Sequence, residues 1–328
     1  MLTNKLQEHA ITHLKTLTGC DDWSYDGDFI TARQCNVYKL TSKELSKNIA
    51  LKVYHNNTTS KQLKGQYKAL EYFANNLNTK DKQYRTPETY GCFEQHNFFL
   101  MEWISAPSLD YTLWRYFYHR NRQQSAIKDS YRWLKHYHKA SVPTSTEVNL
   151  SYYQQRLIRS IELYNGQQLA SSNQAFKKGL ETIIKMSERF KNIKTDHAYT
   201  HGDFTPTNIL IGENQTTGID IGGHNRKPVE DDIALLLNYI SIDFFNMLPQ
   251  RQLKKPITTW SILNLTLDSY HYPKDNEHRA FFTCVYLYQT LRRWLIINNR
   301  NHTKSRLIDR WRITNSENIV KALNRVLR

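Results

Sequence analysis

Residues 201–208 form a polar loop that strongly constrains how this chain can fold. They read His-Gly-Asp-Phe-Thr-Pro-Thr-Asn, so that Asp203 and Asn208 stand close together in the sequence. Pro206 lies between them, and proline favours a turn because its ring fixes the backbone angle φ. A turn at this point allows both polar side chains to face one cavity. The loop therefore predicts a site built from a carboxylate and an amide.

Two short apolar runs follow the loop and extend this prediction. Asn208 leads directly into Ile209–Ile211, a polar segment at Gly212–Thr217 is typical of a turn, and Gly218–Asp220 is predicted to return as a second strand. This hairpin brings a second carboxylate, that of Asp220, to the end of the returning strand. We therefore expect Asp203, Asn208 and Asp220 to meet in one site.

Phosphoryl transfer requires such a set of side chains. A carboxylate must orient the attacking hydroxyl and accept its proton. Mg²⁺ prefers oxygen ligands in octahedral geometry, and an amide oxygen with a carboxylate provides them. We assign Asp203 as the catalytic base and Asn208 and Asp220 as metal ligands. His201 is expected to order the loop rather than to react.

The periodicity of apolar residues predicts a change of structure near residue 105. The earlier segment is predicted to hold a helix, three strands, a second helix and two more strands. These elements are 2–18, Phe29–Ala32, Asn36–Leu40, Ile49–Tyr54, Lys61–Asn75, Thr89–Glu94 and Asn97–Ile104. The later segment is mostly helical, beginning with Leu109–Arg122 and Ala126–Ala140. We predict an α+β fold with a β-rich lobe at 1–104 and a helical lobe at 105–328.

Taken together, His201-Gly202-Asp203, Asn208 and the Ile219-Asp220 pair resemble the aminoglycoside phosphotransferase and choline kinase family. The resemblance implies a protein-kinase-like fold with a small antiparallel sheet, and ATP with Mg²⁺ as cofactors. It implies transfer of the γ-phosphate to a hydroxyl of a small molecule such as a sugar or an amino alcohol. By the same resemblance the sheet lobe holds the nucleotide, and the helical lobe holds the catalytic loop and the acceptor.

The resemblance also implies roles for residues of the first lobe. Lys52, within Ala50–Tyr54, matches the strand lysine that reaches the α- and β-phosphates. The backbone carbonyl of Glu102 and the amide of Ile104 match the hinge groups that pair with adenine. Asp232 matches the residue that caps the following helix or braces the catalytic loop.

Two positions depart from the family pattern. The turn at Thr31–Asn36, where phosphates would be covered, contains no glycine. The helix after Lys52 places Gln66 where a carboxylate is expected, while Glu71 stands on a different helix face. Either residue partners Lys52, or the ion pair is absent. The alternative function is therefore a catalytically weak or inactive nucleotide-binding protein with the same fold.

Charge and composition limit the binding partners and the cellular location that we expect. The net charge of +15 favours anionic partners, yet no nucleic-acid recognition motif accompanies it. A basic protein suits a neutral or anionic acceptor better than a cationic aminoglycoside. No apolar run approaches the roughly 20 residues of a membrane helix, and the early charges of Lys5 and Glu8 argue against a signal peptide. We expect a cytoplasmic enzyme whose four cysteines are free thiols.

The positive charge is densest near the end of the chain. Seven basic residues lie between positions 292 and 312, with Asp309 as the acidic residue among them, which suggests an anion-facing surface. They are Arg292, Arg293, Arg300, Lys304, Arg306, Arg310 and Arg312.

Overall fold

A computed structural model describes most of the chain. The described residues are 4–32, 34–55, 60–78, 82–148, 150–190, 193–222, 225–244, 259–300 and 306–327. The backbone divides into two compact units. The first contains 1–108 and 208–224, and the second contains 109–207 and 225–328.

The secondary structure is mixed. The helices are α1 (Asn4–Thr18), α2 (Ser60–Leu77), α3 (Leu109–Arg115), α4 (Arg120–Ala140), α5 (Ser151–Leu163), α6 (Gln167–Ser172), α7 (Gln174–Arg189), α8 (Glu230–Asp243), α9 (Thr259–Tyr270), α10 (Asn276–Arg300) and α11 (Arg306–Val326). The strands are β1 (Ser24–Thr31), β2 (Cys35–Ser42), β3 (Lys47–Tyr54), β4 (Tyr84–Arg85), β5 (Thr89–Phe93), β6 (Phe98–Glu102), β7 (Thr144–Glu147), β8 (Lys194–Tyr199), β9 (Ile209–Ile211), β10 (Thr216–Gly218) and β11 (Arg226–Pro228).

An antiparallel sheet of five strands, in the order β1-β2-β3-β6-β5, forms the centre of the first unit. Side chains alternate between its two faces. One face packs against α1 through Leu40, Ile49 and Leu51, which share a core with Ala10 and Leu14. The two helices and five strands predicted for this unit are present, but β1 begins at Ser24 rather than Phe29, and β6 ends at Glu102 rather than Ile104. The register follows from the alternation, since a slip of one residue would expose the core face.

The β9–β10 hairpin belongs to the first unit and pairs with β4. Gly218 lies opposite Ile209, and the amide of Ile219 donates to the carbonyl of Asn208 over 2.9 Å. The prediction that the second strand reaches Asp220 is wrong, because β10 ends at Gly218. Asp220 has a φ of 58°, and this left-handed conformation turns the chain out of the ladder.

The second unit is mostly helical, and its central helix is α10. Every residue from Phe281 to Leu291 in this helix is buried. A small antiparallel sheet, β11-β8-β7, lies in the same unit. It was not predicted from the sequence, and the reason is visible in β7, where all residues are exposed and no apolar alternation exists.

The predicted helix Leu109–Arg122 is wrong as a single element. The helix α3 ends at Arg115, and α4 begins at Arg120. Between them the amide of Phe117 bonds the carbonyl of Trp114, and that of His119 bonds Tyr116. These three-residue bonds tighten the backbone and end the α-helical ladder.

Two of the seven basic residues near the end of the chain are paired with a carboxylate, and the anion-facing surface as a whole stays a prediction. The guanidinium of Arg293 donates to the carboxylate of Asp243 over 2.6 Å, and Arg312 donates to the same carboxylate over 3.0 Å. Asp243 therefore neutralises part of the expected charge. Lys304 and the side chains of Arg300 and Arg306 lie outside the described residues.

The fold class predicted from the sequence is confirmed: an antiparallel sheet with helices at the N-terminal end, and a helical C-terminal part. Across the described ranges, no helix combines the length and the apolar character that a bilayer crossing demands.

Candidate active site

Lys52 lies in the middle of β3, on the sheet face opposite the α1 core. Its cross-strand neighbours are Val37 in β2 and Phe99 in β6. Only 5% of the residue is accessible to solvent. A lysine is seldom this buried unless a partner stabilises its charge.

The partner of Lys52 is Asp220. The Lys52 Nζ atom lies 2.6 Å from Asp220 Oδ1, and 45% of the aspartate side chain is exposed. Burial acts to lower the pKa of Lys52, but the attraction of Asp220 and other neighbouring groups outweighs burial and raises the pKa above its ordinary value. Lys52 is therefore a fixed cation beside a solvent-accessible carboxylate.

Neither of the two predicted helix partners bonds Lys52. Gln66 in α2 accepts a hydrogen bond from the hydroxyl of Tyr54 instead. Among the described residues, the ion pair of Lys52 is with Asp220 and not with Glu71. Tyr54 lies on the same face of β3 as Lys52. Its hydroxyl bonds Gln66 in α2, so Gln66 is already used as an acceptor by Tyr54.

The backbone at the end of β6 bonds neighbouring strands on both sides. The amide of Glu102 donates to the carbonyl of Glu88, and the amide of Trp103 donates in the other direction to Asn48. Because β6 ends at Glu102, the predicted pairing of the Glu102 carbonyl and the Ile104 amide with adenine stays a prediction. Within the described ranges, the Ile104 amide has no hydrogen-bond partner.

The carboxylate of Glu102 has a structural contact of its own. It bonds the guanidinium of Arg85, and its Oε2 also accepts from the amide of Glu88 over 3.3 Å. Burial raises the pKa of Glu102, and Arg85 opposes that rise. The side chain thus fixes the end of β6.

The first unit also contains the two predicted metal ligands. Asn208 directly precedes β9, and Asp220 comes two residues after the end of β10, so the hairpin places both at the same end of its two strands. The backbone bond from Ile219 to Asn208 holds this end closed. An amide oxygen and a carboxylate at such a point are hard ligands that suit Mg²⁺.

Asp203 is exposed, in a loop of the second unit whose neighbouring residues Phe204 and Thr205 are buried. Gly202 before it has a φ of 83°, a conformation that glycine adopts without strain. The carbonyl of Asp203 accepts from the amide of Thr205 over 2.9 Å, which closes a tight turn before Pro206. The turn leaves the Asp203 side chain accessible, as a catalytic base requires.

The carboxylate of Asp232 accepts hydrogen bonds from the backbone of this loop. Its Oδ2 atom accepts from the amide of His201 over 2.6 Å, and its Oδ1 atom accepts from the amide of Gly202 over 3.0 Å. His138 Nε2 lies 3.1 Å from the same Oδ2 atom. The expected bracing role of Asp232 therefore has direct contacts in the structure.

The environment keeps Asp232 ionised. Burial acts to raise its pKa, but the hydrogen bond and charge of His138, with the His201 amide, outweigh burial and lower the pKa below its ordinary value. His138 is itself held by the hydroxyl of Tyr270 at 2.8 Å from Nδ1. A charged acceptor with several donors is a strong anchor for the loop.

His201 packs in an aromatic cluster rather than at the surface. Its ring centroid lies 5.5 Å from that of Phe204, 6.0 Å from Trp133 and 6.1 Å from Tyr137. His201 is 1% exposed. This burial agrees with the prediction that His201 orders the loop.

The structure brings together Lys52 with Asp220, and Asn208 with the hairpin that ends at Asp220. Asp203 lies in the other unit, and its meeting with Asn208 and Asp220 stays a prediction. The predicted turn at Thr31–Asn36 includes Arg33, which lies outside the described residues.

Sequence reasoning missed two neighbours of Lys52. Tyr54 and Cys35 lie opposite each other in the β2–β3 ladder, on the face that holds Lys52. Burial raises the pKa of Cys35 and raises the pKa of Tyr54 to about 12, so both are protonated at neutral pH. The alternation of β3 was the available signal, since residues two apart on a strand share a face.

The fold is the mixed α+β, protein-kinase-like fold that phosphotransferases share. The model of the phosphotransferase enzyme family matches residues 30–261. The chain belongs to this family. No curated protein matches the sequence.

Solved structures share the fold at low sequence identity. A choline kinase from Cryptosporidium parvum Iowa II matches with a TM-score of 0.59 and 12% identity, covering 96% of this chain and 94% of that one. A Plasmodium vivax ethanolamine kinase matches with a TM-score of 0.54 and 14% identity, covering 93% and 83%. An ADP-bound aminoglycoside phosphotransferase, APH(2'')-Ib, matches with a TM-score of 0.52 and 15% identity, covering 99% of each chain.

Proposed function

We propose that this protein is an ATP-dependent kinase that transfers the γ-phosphate to a hydroxyl group of a small molecule. The observation that carries the proposal is the pairing of buried Lys52 with Asp220 over 2.6 Å, at the end of the hairpin that Asn208 directly precedes. This pair offers a cation for phosphate oxygens and a carboxylate for a metal ion. Membership of the phosphotransferase enzyme family supports the same chemistry.

The residues of the first unit fit the nucleotide. Lys52 is a charged donor suited to the α- and β-phosphates, and Asn208 and Asp220 supply oxygen ligands for Mg²⁺. The Glu102 carbonyl and the Ile104 amide would supply the acceptor and the donor that adenine pairing requires. When bound, ATP would supply the transferable phosphoryl group, and Mg²⁺ would neutralise part of the charge on the phosphate oxygens.

Asp203 is the proposed base. Its carboxylate orients the acceptor hydroxyl and takes its proton as the oxygen bonds to phosphorus and the bond between phosphorus and the bridging oxygen of the leaving ADP breaks. The products are a phosphate monoester and ADP. Asp232 contributes by holding the amides of His201 and Gly202, so the loop keeps its shape through the reaction. The proposal requires Asp203 to reach the same substrate that the first unit holds.

The acceptor is proposed to be a neutral or anionic metabolite, for example a sugar. The net charge of +15 disfavours a cationic acceptor. Ethanolamine kinase and choline kinase are structural neighbours, and the compounds they are named for are cationic. The screen of acceptors therefore includes both classes.

The test is an ATP-consumption assay with and without Mg²⁺ over sugars, nucleosides, amino alcohols and aminoglycosides. The expected result is Mg²⁺-dependent ADP formation with one acceptor class, and its loss in the Asp203→Asn variant. The proposal is wrong if no acceptor in a broad alcohol panel raises ADP formation above that of the variant.

A second function, nucleotide binding without turnover, is favoured by one observation. Among the described residues, Lys52 has no carboxylate partner in α2, and Gln66 stands at the expected position. Equilibrium binding of MgATP in the absence of turnover would support this function. Mg²⁺-dependent ADP formation with any acceptor would exclude it.

A further inference from the structure

The surroundings of the Lys52 ammonium show how a lysine without a helix carboxylate is held. Its Nζ atom lies 5.3 Å from the ring centroid of Tyr54 and 5.7 Å from that of Phe99. Both distances fall within the range of cation–π attraction. Two aromatic rings and the Asp220 carboxylate thus surround the charge.

Tyr54 is in turn held at both ends. Its ring packs against Phe99 with centroids 6.0 Å apart, and its hydroxyl donates to Gln66 Oε1 in α2. The residue is 4% exposed. A buried hydroxyl without a partner is costly, so the Gln66 acceptor selects one position of the ring. The position of Lys52 therefore depends on α2 through Tyr54.

Phe99 is supported from the same helix. The ring of Tyr67, next to Gln66 in the sequence, lies 5.8 Å from the ring of Phe99 at an angle of 63°. Adjacent residues of α2 thus fix both rings that face the Lys52 ammonium. The attraction between a ring and a cation is weaker than an ion pair with a carboxylate. The rings leave Lys52 held, yet able to bond a second anion.

We propose that Tyr54 and Gln66 are positioning residues for Lys52 and take the place of the absent helix carboxylate. Gln66 fixes the hydroxyl of Tyr54, and the ring of Tyr54 holds the Lys52 ammonium beside Asp220. The arrangement keeps Lys52 aimed at the phosphate-binding position when Asp220 turns to a metal ion. This inference rests on the proposed function for the identity of the anion, but the coupling of the three residues exists without nucleotide.

The first measurement is a double-mutant cycle in the nucleotide-free protein, with Lys52→Met and Tyr54→Leu alone and combined. Urea unfolding gives the unfolding constant of each variant. If the ring holds the ammonium, the combined effect departs at least about 3-fold from the product of the single effects. A second cycle with Lys52→Met and Gln66→Leu is expected to show coupling in the same direction, transmitted through Tyr54.

The second measurement is the affinity for a non-hydrolysable ATP analogue with Mg²⁺, together with KM and kcat for ATP. Tyr54→Leu is expected to weaken analogue binding about 10-fold and to raise KM more than it lowers kcat. Gln66→Leu removes only the acceptor of the Tyr54 hydroxyl, and Tyr54→Phe also removes the contact of that hydroxyl with Lys52. Both variants keep the ring and are expected to show smaller losses, with Tyr54→Phe the larger of the two. Gln66→Glu keeps an acceptor for the Tyr54 hydroxyl and is expected to bind the analogue as tightly as the wild-type protein does.

Phe73→Leu is the matched control for stability. Phe73 lies in α2, as Gln66 does, and is 1% exposed. Its truncation is therefore expected to lower the melting temperature without changing the affinity for the analogue. If Tyr54→Leu loses affinity for the analogue while Phe73→Leu, at the same melting temperature, keeps it, the loss reflects the position of Lys52 and not a general loss of stability.

The outcomes separate the two proposals. Coupling in the cycles with weaker analogue binding supports the positioning inference. Coupling in the cycles with no nucleotide binding or turnover by the wild-type protein supports the positioning of Lys52 and shows that the proposed function is wrong. Independent effects in both cycles overturn the positioning inference, whatever the nucleotide results are.

Discussion

The carboxylate of Asp220 lies 2.6 Å from the ammonium of Lys52, although 168 positions separate the two residues in the chain. The lysine is buried, and the aspartate is partly accessible to solvent. Each group therefore has to exchange one partner for another when a metal or an anion binds. Binding of a cation at Asp220 and of an anion at Lys52 is expected to be coupled, because each frees a partner for the other.

Replacement of Asp220 by alanine tests this coupling. Asp220→Ala is expected to weaken binding of an ATP analogue about 10-fold or more in the presence of Mg²⁺, because a metal ligand is lost. Without Mg²⁺ the loss is expected to be smaller, since Lys52 is then released from its ion pair. Isothermal titration with and without Mg²⁺ measures both. Glu213→Ala, at an exposed position in the turn of the same hairpin, is the control; equal Mg²⁺ dependence in both variants would contradict the metal-ligand role.

Replacement of Asp203 by asparagine separates catalysis from binding. Asp203→Asn keeps the size of the side chain but removes the proton acceptor, so the transfer rate is expected to fall at least about 100-fold. Binding of the ATP analogue should change little. The exposed Asp268 serves as a control through Asp268→Asn. Wild-type turnover by the Asp203 variant would show that this residue is not the base.

Replacement of Asp232 by asparagine tests the bracing of the loop. An asparagine has one acceptor oxygen, so its amide group must face the amide of His201 or Gly202, each of which is a donor. We expect a loss of about 3 kcal/mol in the free energy of unfolding, with reduced transfer by the folded fraction. Urea unfolding and turnover at saturating ATP measure the two effects. An unchanged unfolding free energy would mean that the bonds to Asp232 do not support the loop.

Glu230, at the start of α8, provides a pH-dependent prediction. Burial raises its pKa to about 7, while the hydroxyl of Tyr272, 2.6 Å from Oε1, acts in the opposite direction. The folded state therefore binds a proton more tightly than the unfolded state does. The contribution of Glu230 to stability is complete below the ordinary carboxyl pKa and is lost as the pH rises through about 7.

Glu230→Gln is expected to remove this pH dependence. The wild-type free energy of unfolding should fall by on the order of 3 kcal/mol between about pH 4.5 and pH 8 from this group, because one pKa unit corresponds to about 1.4 kcal/mol. The variant should show a flatter profile over the same range. Urea unfolding at each pH measures the difference, and parallel profiles for the two proteins would show that Glu230 does not titrate there.

The sequence allowed the elements of the first unit to be predicted because their patterns are local. The helix α1 and the inner strands β2, β3 and β6 have apolar residues at a recognisable spacing that requires no distant partner. Strand β1 was predicted only over Phe29–Ala32, because most of its residues are exposed and polar. The β7–β8–β11 sheet was not predictable on this basis, because its residues are largely exposed and its strands pair across long separations.

The candidate site shows the same division. The loop at residues 201–208 and the bracing by Asp232 follow from a motif in the sequence. The partner of Lys52 does not follow from the sequence, because it depends on whether a side chain of α2 or one beside the β9–β10 hairpin reaches the ammonium in the folded chain. The left-handed backbone of Asp220 was also beyond pattern reasoning, since glycine is the usual residue there and aspartate gives no clear signal.

The first unit is discontinuous in the chain, since it includes residues 208–224 as well as 1–108. A fragment ending at Ser108 would lack the hairpin that supplies Asp220 and would bury the charge of Lys52 without its counter-ion. Neither unit can be expressed as one uninterrupted stretch, and a swap between relatives at a single junction would separate the lysine from its aspartate. The two residues must be inherited and exchanged together, even though more than a hundred codons lie between them.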